Sequence, residues 1–188
     1  MEFSDYCATS AKVIGATAAH LGEARIAAAI DAVAAAIKRR SAVLICGNGG
    51  SAADAMHITG ELVGRFLKER RPFKAVCLSA DPTVLTAWSN DYSFASVFAR
   101  QVEAYAEPGG VLIGLSTSGN SANVIEAFTA ARKLGLKTIA FTGQGGGKLA
   151  PLADVLLDVP SASTPLIQQA HICLYHYLCE KVEGLCAT

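Results

Sequence analysis

The sequence predicts an α/β domain built on a five-stranded parallel sheet with helices on both faces. Two observations carry this. Apolar runs of four to six residues alternate with longer amphipathic stretches along the chain. Strands of that length alternating with helices imply a parallel sheet covered on both sides. Two glycine-bearing loops, residues 47–50 and 116–121, follow the first and third of these runs. They therefore fall at strand carboxyl ends, where open parallel sheets bind ligands.

The elements follow in order. Residues 3–40 are alanine-rich and periodically apolar and read as two helices broken near Leu21-Gly22. Their apolar stripes are long relative to the domain behind them, which predicts helix packing between subunits. Residues 41–46 form the first strand, Gly47-Asn48-Gly49-Gly50 a turn, and Ser51 is expected to cap a helix running to about Arg70. The second strand spans 74–79, and 81–104 is mostly helical with a break around Ser89-Asn90-Asp91. The third strand, 111–115, leads into a hydroxyl-rich loop and a helix over 123–134. Residues 137–142 form the fourth strand, 143–147 a glycine-rich turn, 155–159 the fifth strand and 165–182 the closing helix. The whole of 1–188 is one domain, with oligomerisation helices over 1–40 and an αβα core over 41–188.

A chain of 188 residues with 52% apolar side chains can bury a substantial core. Sixteen basic and sixteen acidic side chains cancel, so no basic field for nucleic acid is present. The one local basic cluster, Arg65, Lys68, Arg70, Arg71 and Lys74, reads as a solvated helix end. No apolar run approaches the ~18–20 residues of a membrane span. The first helix, with Glu2, Asp5, Lys12 and Glu23, lacks the form of a secretory signal, and a cytoplasmic location is expected. The six cysteines include no C-x-x-C pair and read as free thiols.

The loop Ser116-Thr117-Ser118-Gly119-Asn120-Ser121 carries the most chemical information. Its hydroxyls offer donors, Gly119 admits close backbone approach, and the helix that follows adds free N–H groups and a positive dipole end. No lysine follows the glycine, so this is not a nucleotide-binding P-loop. Neutral hydroxyls suit a sugar monophosphate better than a triphosphate. A helix capped by Asn120 or Ser121 is the simpler structural reading of the same residues.

On the helix opening at the first glycine loop lie Asp54, His57 and Glu61. His57 and Glu61, four apart, share one face and can hold a divalent metal or work as an acid–base pair. Gln168, His171 and His176 interrupt the apolar last helix. Any one of them fits a hydrogen-bonded interior group, but His57, Glu61, Gln168 and His176 together supply N and O ligands suited to zinc. Eight residues of continuous helix rise about 12 Å, a long reach for Gln168 and His176 to meet one ion. Either Gln168 precedes the regular helix or the site is completed across a subunit interface, the arrangement favoured here.

Taken together, residues 46–54, His57, the run Glu61-Leu62-Val63-Gly64-Arg65-Phe66, Asn90-Asp91, residues 116–123, Ile167-Gln168 and His176 resemble the sugar isomerase (SIS) fold and, within it, the phosphoheptose isomerases. The resemblance covers nearly the whole chain. It implies a flavodoxin-like three-layer αβα domain and a homotetramer with its active site near a subunit interface. The implied reaction converts sedoheptulose 7-phosphate to D-glycero-D-manno-heptose 7-phosphate, the first step of activated-heptose synthesis. By position, Asn48, Gly49, Gly50, Asn90 and Asp91 hold the sugar, and Ser116, Thr117, Ser118 and Ser121 hold the phosphate. His57, Glu61, Gln168 and His176 match zinc-site positions, one zinc per subunit, with Glu61 and Gln168 also touching substrate. Glu61 and His176 match the acid–base pair, and no nucleotide cofactor is implied.

Two other readings share the fold. A SIS relative that binds the bacterial replication initiator lacks a histidine matching His176 and carries arginine where Ser118 stands. Both positions here match the isomerase. An isomerase of another sugar phosphate is the second alternative; Met56, Gly60 and Trp88, where the chain departs from the pattern, bear on the sugar accepted.

Overall fold

The computed structural model describes residues 1–187. Five strands, β1 (Val43–Gly47), β2 (Ala75–Cys77), β3 (Val111–Ser116), β4 (Lys137–Thr142) and β5 (Val155–Asp158), form one all-parallel sheet in the order β2-β1-β3-β4-β5. Around it lie α1 (Phe3–Lys38), α2 (Gly50–Val63), α3 (Pro82–Asp91), α4 (Val97–Tyr105), α5 (Ala122–Lys133) and α6 (Thr164–Cys186). A 3-10 turn over Gly147–Leu152 precedes β5. The expected five-stranded αβα architecture is the one observed.

The sheet residues divide between two cores by the period-2 rule. Val43, Ile45, Val111, Ile113, Leu115, Ile139 and Phe141 face α1, α2 and α6, where they meet Ile30, Val33, Ile58, Leu62, Tyr175, Leu178 and Val182. Leu44, Cys46, Leu112 and Ala140 face the other way, against Val97, Phe98 and Val102 of α4 and Val124 and Phe128 of α5. Both faces are dry, so β1 and β3 are buried at every position.

The break expected near Leu21-Gly22 is a kink at Gly22, whose φ of 64° and ψ of 167° leave the helical region. On either side of the kink, His20 Nε2 and Arg25 Nη1 each meet the Asp158 carboxylate at 3.0 Å, tying α1 to the end of β5. Before the kink, Thr17 and Leu21 are the buried residues of α1.

Three sequence expectations need correction. Ser51 does not cap α2: Gly49 occupies the N-cap, with φ 55° and ψ −123°, and Ser51 is buried inside the helix. Nor does α2 reach Arg70; it ends at Val63. The reason lies on α6. The Glu183 carboxylate accepts backbone N–H groups of Phe66, Leu67 and Lys68 at 2.7–2.9 Å, and Arg70 Nε at 3.2 Å. Arg70 in turn donates to the carbonyls of Glu61, Leu62 and Gly64. These bonds offer residues 64–70 a better set of partners than helix continuation. Arg70, with a side chain 1% exposed, is therefore an interior cation and not part of a solvated patch. Burial pushes the Glu183 carboxyl up, but the three N–H donors and Arg70 outweigh it and hold it below its ordinary range. Third, Ser89, Asn90 and Asp91 lie in the last turn of α3, and the break follows them at residues 92–96. There Ser93 and Ser96 bond to one another and Ser96 Oγ receives Trp88 Nε1–H at 2.8 Å.

Candidate active site

In this strand order β1 and β3 are neighbours whose helices leave toward opposite faces, which opens a crevice at their carboxyl ends. Both glycine-bearing loops flank that crevice. The two loops are bridged by Asn48 and Asn123 through a pair of amide hydrogen bonds.

The hydroxyl loop is held by its own side chains and by the segment after β4. Ser121 stands at the N-cap of α5, yet its side chain makes no capping bond; its Oγ meets Ser116 Oγ at 2.8 Å. The simpler reading, in which Asn120 or Ser121 caps the helix, is thus not what the side chains do. Asn120 instead bridges Ser118 carbonyl and Lys148 N–H, pinning the loop to the segment after β4. The positive end of the α5 dipole lies at this loop. Gly119, at φ 65°, lies so close to Gly146 and Gly147 that a Cβ there would overlap the Gly146 carbonyl. Thr117 and Ser118 line a cavity of about 290 Å³ together with Gln144 and Ser161. That size fits a small phosphorylated ligand. A larger cavity, about 550 Å³, lies between α1 and α6 and is walled by Ile26, Ile30, Tyr177 and Leu185. Its lining includes neither the hydroxyl loop nor His57, Glu61 or His176, and the smaller cavity is the better ligand site.

Two turns along α2, His57 and Glu61 converge with His176 of α6. His57 Nε2 is 3.0 Å from Glu61 Oε1 and 3.5 Å from His176 Nε2. The ligand atoms of the three residues all lie within 4.8 Å of one another. Tetrahedral zinc with N and O ligands at ~2.0–2.2 Å places its donors about 3.3–3.5 Å apart, so this group fits a divalent ion. Three protein ligands also leave an open position, the pattern of catalytic zinc. The His57 side chain is 46% exposed and that of Glu61 20%, so the group is open to a substrate. Beneath it, Tyr175 Oη lies 2.9 Å from His57 Nδ1 and 3.5 Å from Asp54 Oδ1. Burial pushes the Asp54 carboxyl up, an effect only partly offset by Tyr175 and His57. Phe66 packs its ring 5.9 Å from that of His176.

Gln168 is not beside these three residues. It lies inside α6, in contact with the loop end of α2, where a Cβ on Gly50 would overlap its amide. Because Gln168 meets residue 50 and His176 meets residue 57, α2 and α6 run side by side in the same direction. Gln168 therefore sits about 12 Å, two helical turns, from His176 in the same chain. The alternative that Gln168 precedes the regular helix is overturned. Asn90 and Asp91 are exposed, with Asn90 Nδ2 bonded to Asp91 Oδ1 at 2.9 Å. His171 is interior, its Nε2 3.1 Å from the Thr142 carbonyl, as an interior polar group should be.

Gln144, Ser161, Asn123 and Tyr175 join the site without having been singled out from sequence as ligand or network residues. The place of Gln144 just after the fourth strand was the available signal. For Tyr175, the signal was a phenol in an apolar helix, which needs a partner when buried.

Residues 5–143 match the SIS domain family. A phosphoheptose isomerase from Rhodospirillum rubrum is 52% identical over 163 residues, covering 86% of this chain and 87% of that protein. Among solved structures, the phosphoheptose isomerase from Neisseria gonorrhoeae superposes with a TM-score of 0.90 at 40% identity, covering 96% of both chains. That from Francisella tularensis gives 0.91 at 35% identity over 96% of both. A hydroxyl-lined loop, a His–Glu–His cluster and near full-length similarity lead to one conclusion: the chain belongs to the SIS domain family and, within it, to the phosphoheptose isomerases.

Proposed function

We propose that the protein interconverts sedoheptulose 7-phosphate and D-glycero-D-manno-heptose 7-phosphate. The carrying observation is the convergence of His57, Glu61 and His176 at hydrogen-bond distances on two helices, one of which begins at the crevice loops. Ketose–aldose isomerisation moves a proton between adjacent carbons through an enediol. It needs a carbon base, a proton donor and acceptor for the oxygens, and a means of holding the substrate.

In this reading Glu61 takes the proton from one carbon and returns it to the next, and His176 serves the oxygens. Ser116, Thr117, Ser118 and Ser121, with the N-terminus of α5, bind the phosphate. Asn48, Gly49, Gly50, Asn90 and Asp91 contact the sugar. Since Asn48 gives its amide to Asn123, its contribution to the sugar falls to the backbone. His57, Glu61 and His176 would hold a divalent ion, zinc by their donor set; such an ion polarises a carbonyl as a Lewis acid.

The assembly we infer is a homotetramer with its active site at a subunit boundary and a cytoplasmic setting. Several features support it. The first half of α1 has little to pack on within the chain, and Met56, Val63, Ile172, Tyr177 and Leu185 are exposed on α2 and α6. The 12 Å rise between Gln168 and His176 also favours a Gln168 supplied to the cluster by a second copy. No described helix is long and apolar enough to cross a membrane.

The test is conversion of sedoheptulose 7-phosphate by purified protein, with and without a chelator, beside a panel of phosphorylated pentoses and amino sugars. Glu61→Gln and His176→Gln should each lower kcat by about 10²–10⁴-fold. No conversion by folded, zinc-supplied protein sinks the heptose reading. Mixing inactive Gln168→Ala and His176→Gln chains tests the shared site, since only a site built from two copies regains activity in the mixture.

A further inference from the structure

Tyr175 has no place in the proton transfers of isomerisation, yet its hydroxyl is built into the cluster. The residue is 1% exposed, and its ring meets that of His57 edge-on, with centroids 5.4 Å apart at 72°. Phenylalanine would supply the same packing. What the oxygen adds is a chain of polar atoms: Asp54 Oδ1, 3.5 Å to Tyr175 Oη, 2.9 Å to His57 Nδ1. Asp54 is itself buried, and its other oxygen, Oδ2, has no partner among the described residues. A buried carboxylate so sparsely bonded is costly to keep, which makes its orientation toward the phenol notable.

A neutral imidazole carries its proton on one nitrogen only. With the proton on Nε2, His57 donates to Glu61 Oε1, 3.0 Å away, and offers no lone pair to the cluster. With the proton on Nδ1, that N–H is donated to Tyr175 Oη, and the Nε2 lone pair points between Glu61 and His176. Tyr175 Oη is free to accept when its own hydrogen goes elsewhere, and Asp54 Oδ1 is the acceptor within reach. We propose that Asp54 and Tyr175 are positioning residues that bias His57 toward the Nδ1–H tautomer and so aim its Nε2 lone pair at the Glu61–His176 cluster. This rests on reading the cluster as a metal-assisted isomerase centre. Outer-shell partners of metal-binding histidines commonly act in this way.

The experiment uses histidine-¹⁵N-labelled protein and Tyr175→Phe. Only four histidines are present, and His57 signals are assigned by their loss in His57→Asn. In chelator-treated protein the fraction of His57 in the Nδ1–H form should fall on Tyr175→Phe. Zinc affinity, measured by competition with a chromophoric chelator, should weaken by about 10–100-fold. A variant that melts at a lower temperature but keeps both tautomer and zinc affinity shows a purely structural tyrosine and overturns the proposal. Should Tyr175→Phe fail to fold, Asp54→Asn carries the test: it removes the charge that draws the phenol hydrogen away from His57, and an unchanged tautomer overturns the relay. If neither form isomerises any sugar while the His57 tautomer still responds to Tyr175→Phe, the relay stands and the isomerase reading falls.

Discussion

Asn48 and Asn123 exchange two amide hydrogen bonds, Asn48 Nδ2 to Asn123 Oδ1 at 2.8 Å and Asn123 Nδ2 to Asn48 Oδ1 at 2.9 Å. They are 75 residues apart in sequence, Asn48 in the loop after β1 and Asn123 at the start of α5. Asn123 Oδ1 also accepts the Val124 N–H at 3.0 Å, so the pair is anchored in the first turn of α5. The pair thereby ties the loop after β1 to the start of α5.

Replacing Asn123 by alanine should cost about 1–3 kcal/mol, because the Asn48 amide loses both partners in a half-buried site. KM for the sugar phosphate should rise more than kcat falls, since the His57 cluster is untouched. Asn123→Asp, which can accept but not donate, should lie between. Steady-state kinetics beside thermal melting decide this; an unchanged KM in the alanine variant would show that the loops hold themselves.

Gly119→Ala should abolish phosphate binding in a folded protein. Its φ of 65° disfavours any side chain, and the new Cβ would overlap the Gly146 carbonyl and stand 2.9 Å from Gly147 N. Both obstacles are backbone, so the loop itself has to move. The expected readout is loss of the thermal stabilisation that inorganic phosphate or substrate confers on the parent protein. Retained stabilisation would place the anion elsewhere.

Gly50→Ala meets a softer obstacle, the amide end of Gln168, with its Cδ 3.1 Å away. That side chain can swing aside, so the variant should fold with a melting temperature near that of the parent. If Gln168 contacts substrate from its present place beside Gly50, kcat/KM drops at least tenfold; if it works only in the site of a neighbouring copy, the loss is smaller than in Gln168→Ala.

Removing one partner of the buried Arg70–Glu183 pair should destabilise the protein by about 3–5 kcal/mol, since the other charge is left alone in the interior. Glu183→Gln additionally weakens the acceptor for three backbone N–H groups and should loosen Phe66 from His176. Urea midpoints of Glu183→Gln, Arg70→Met and the double variant measure the coupling. Additive losses would contradict the pair.

Acid should destabilise the protein through His171. Burial lowers its pKa to about 4, despite its bond to the Thr142 carbonyl, and its Nδ1 has no partner among the described residues. Between about 6.5 and 4 the unfolded chain binds a proton that the native chain refuses, so stability falls as pH drops through that window and levels below it. The effect is about 3 kcal/mol at most, from 1.36 kcal/mol per unit. His171→Gln should flatten the difference in unfolding free energy between pH 7 and pH 4; an equally steep profile would assign it to the carboxylates.

What the sequence determined by itself was the part governed by local pattern. Strand and helix order, the kink at Gly22 and the place of both ligand loops follow from hydrophobic period and glycine position, which act over a few residues. The identity of the cluster was legible too, because His57 and Glu61 at four-residue spacing must share a helix face. The tertiary structure decided what depends on partners far along the chain. The end of α2 was set by Glu183, over a hundred residues later, whose carboxylate outcompetes helical hydrogen bonding for three backbone N–H groups. Arg70 looked like one more surface cation until that carboxylate buried it. Gln168 and His176 share a helix, yet the parallel packing of α2 and α6 assigns them to opposite ends of the site. Tyr175 gained a role only when α6 laid its hydroxyl between Asp54 and His57. Hydrogen bonds and ion pairs between distant residues leave no periodic trace in a sequence, because only folding brings their partners within 3 Å.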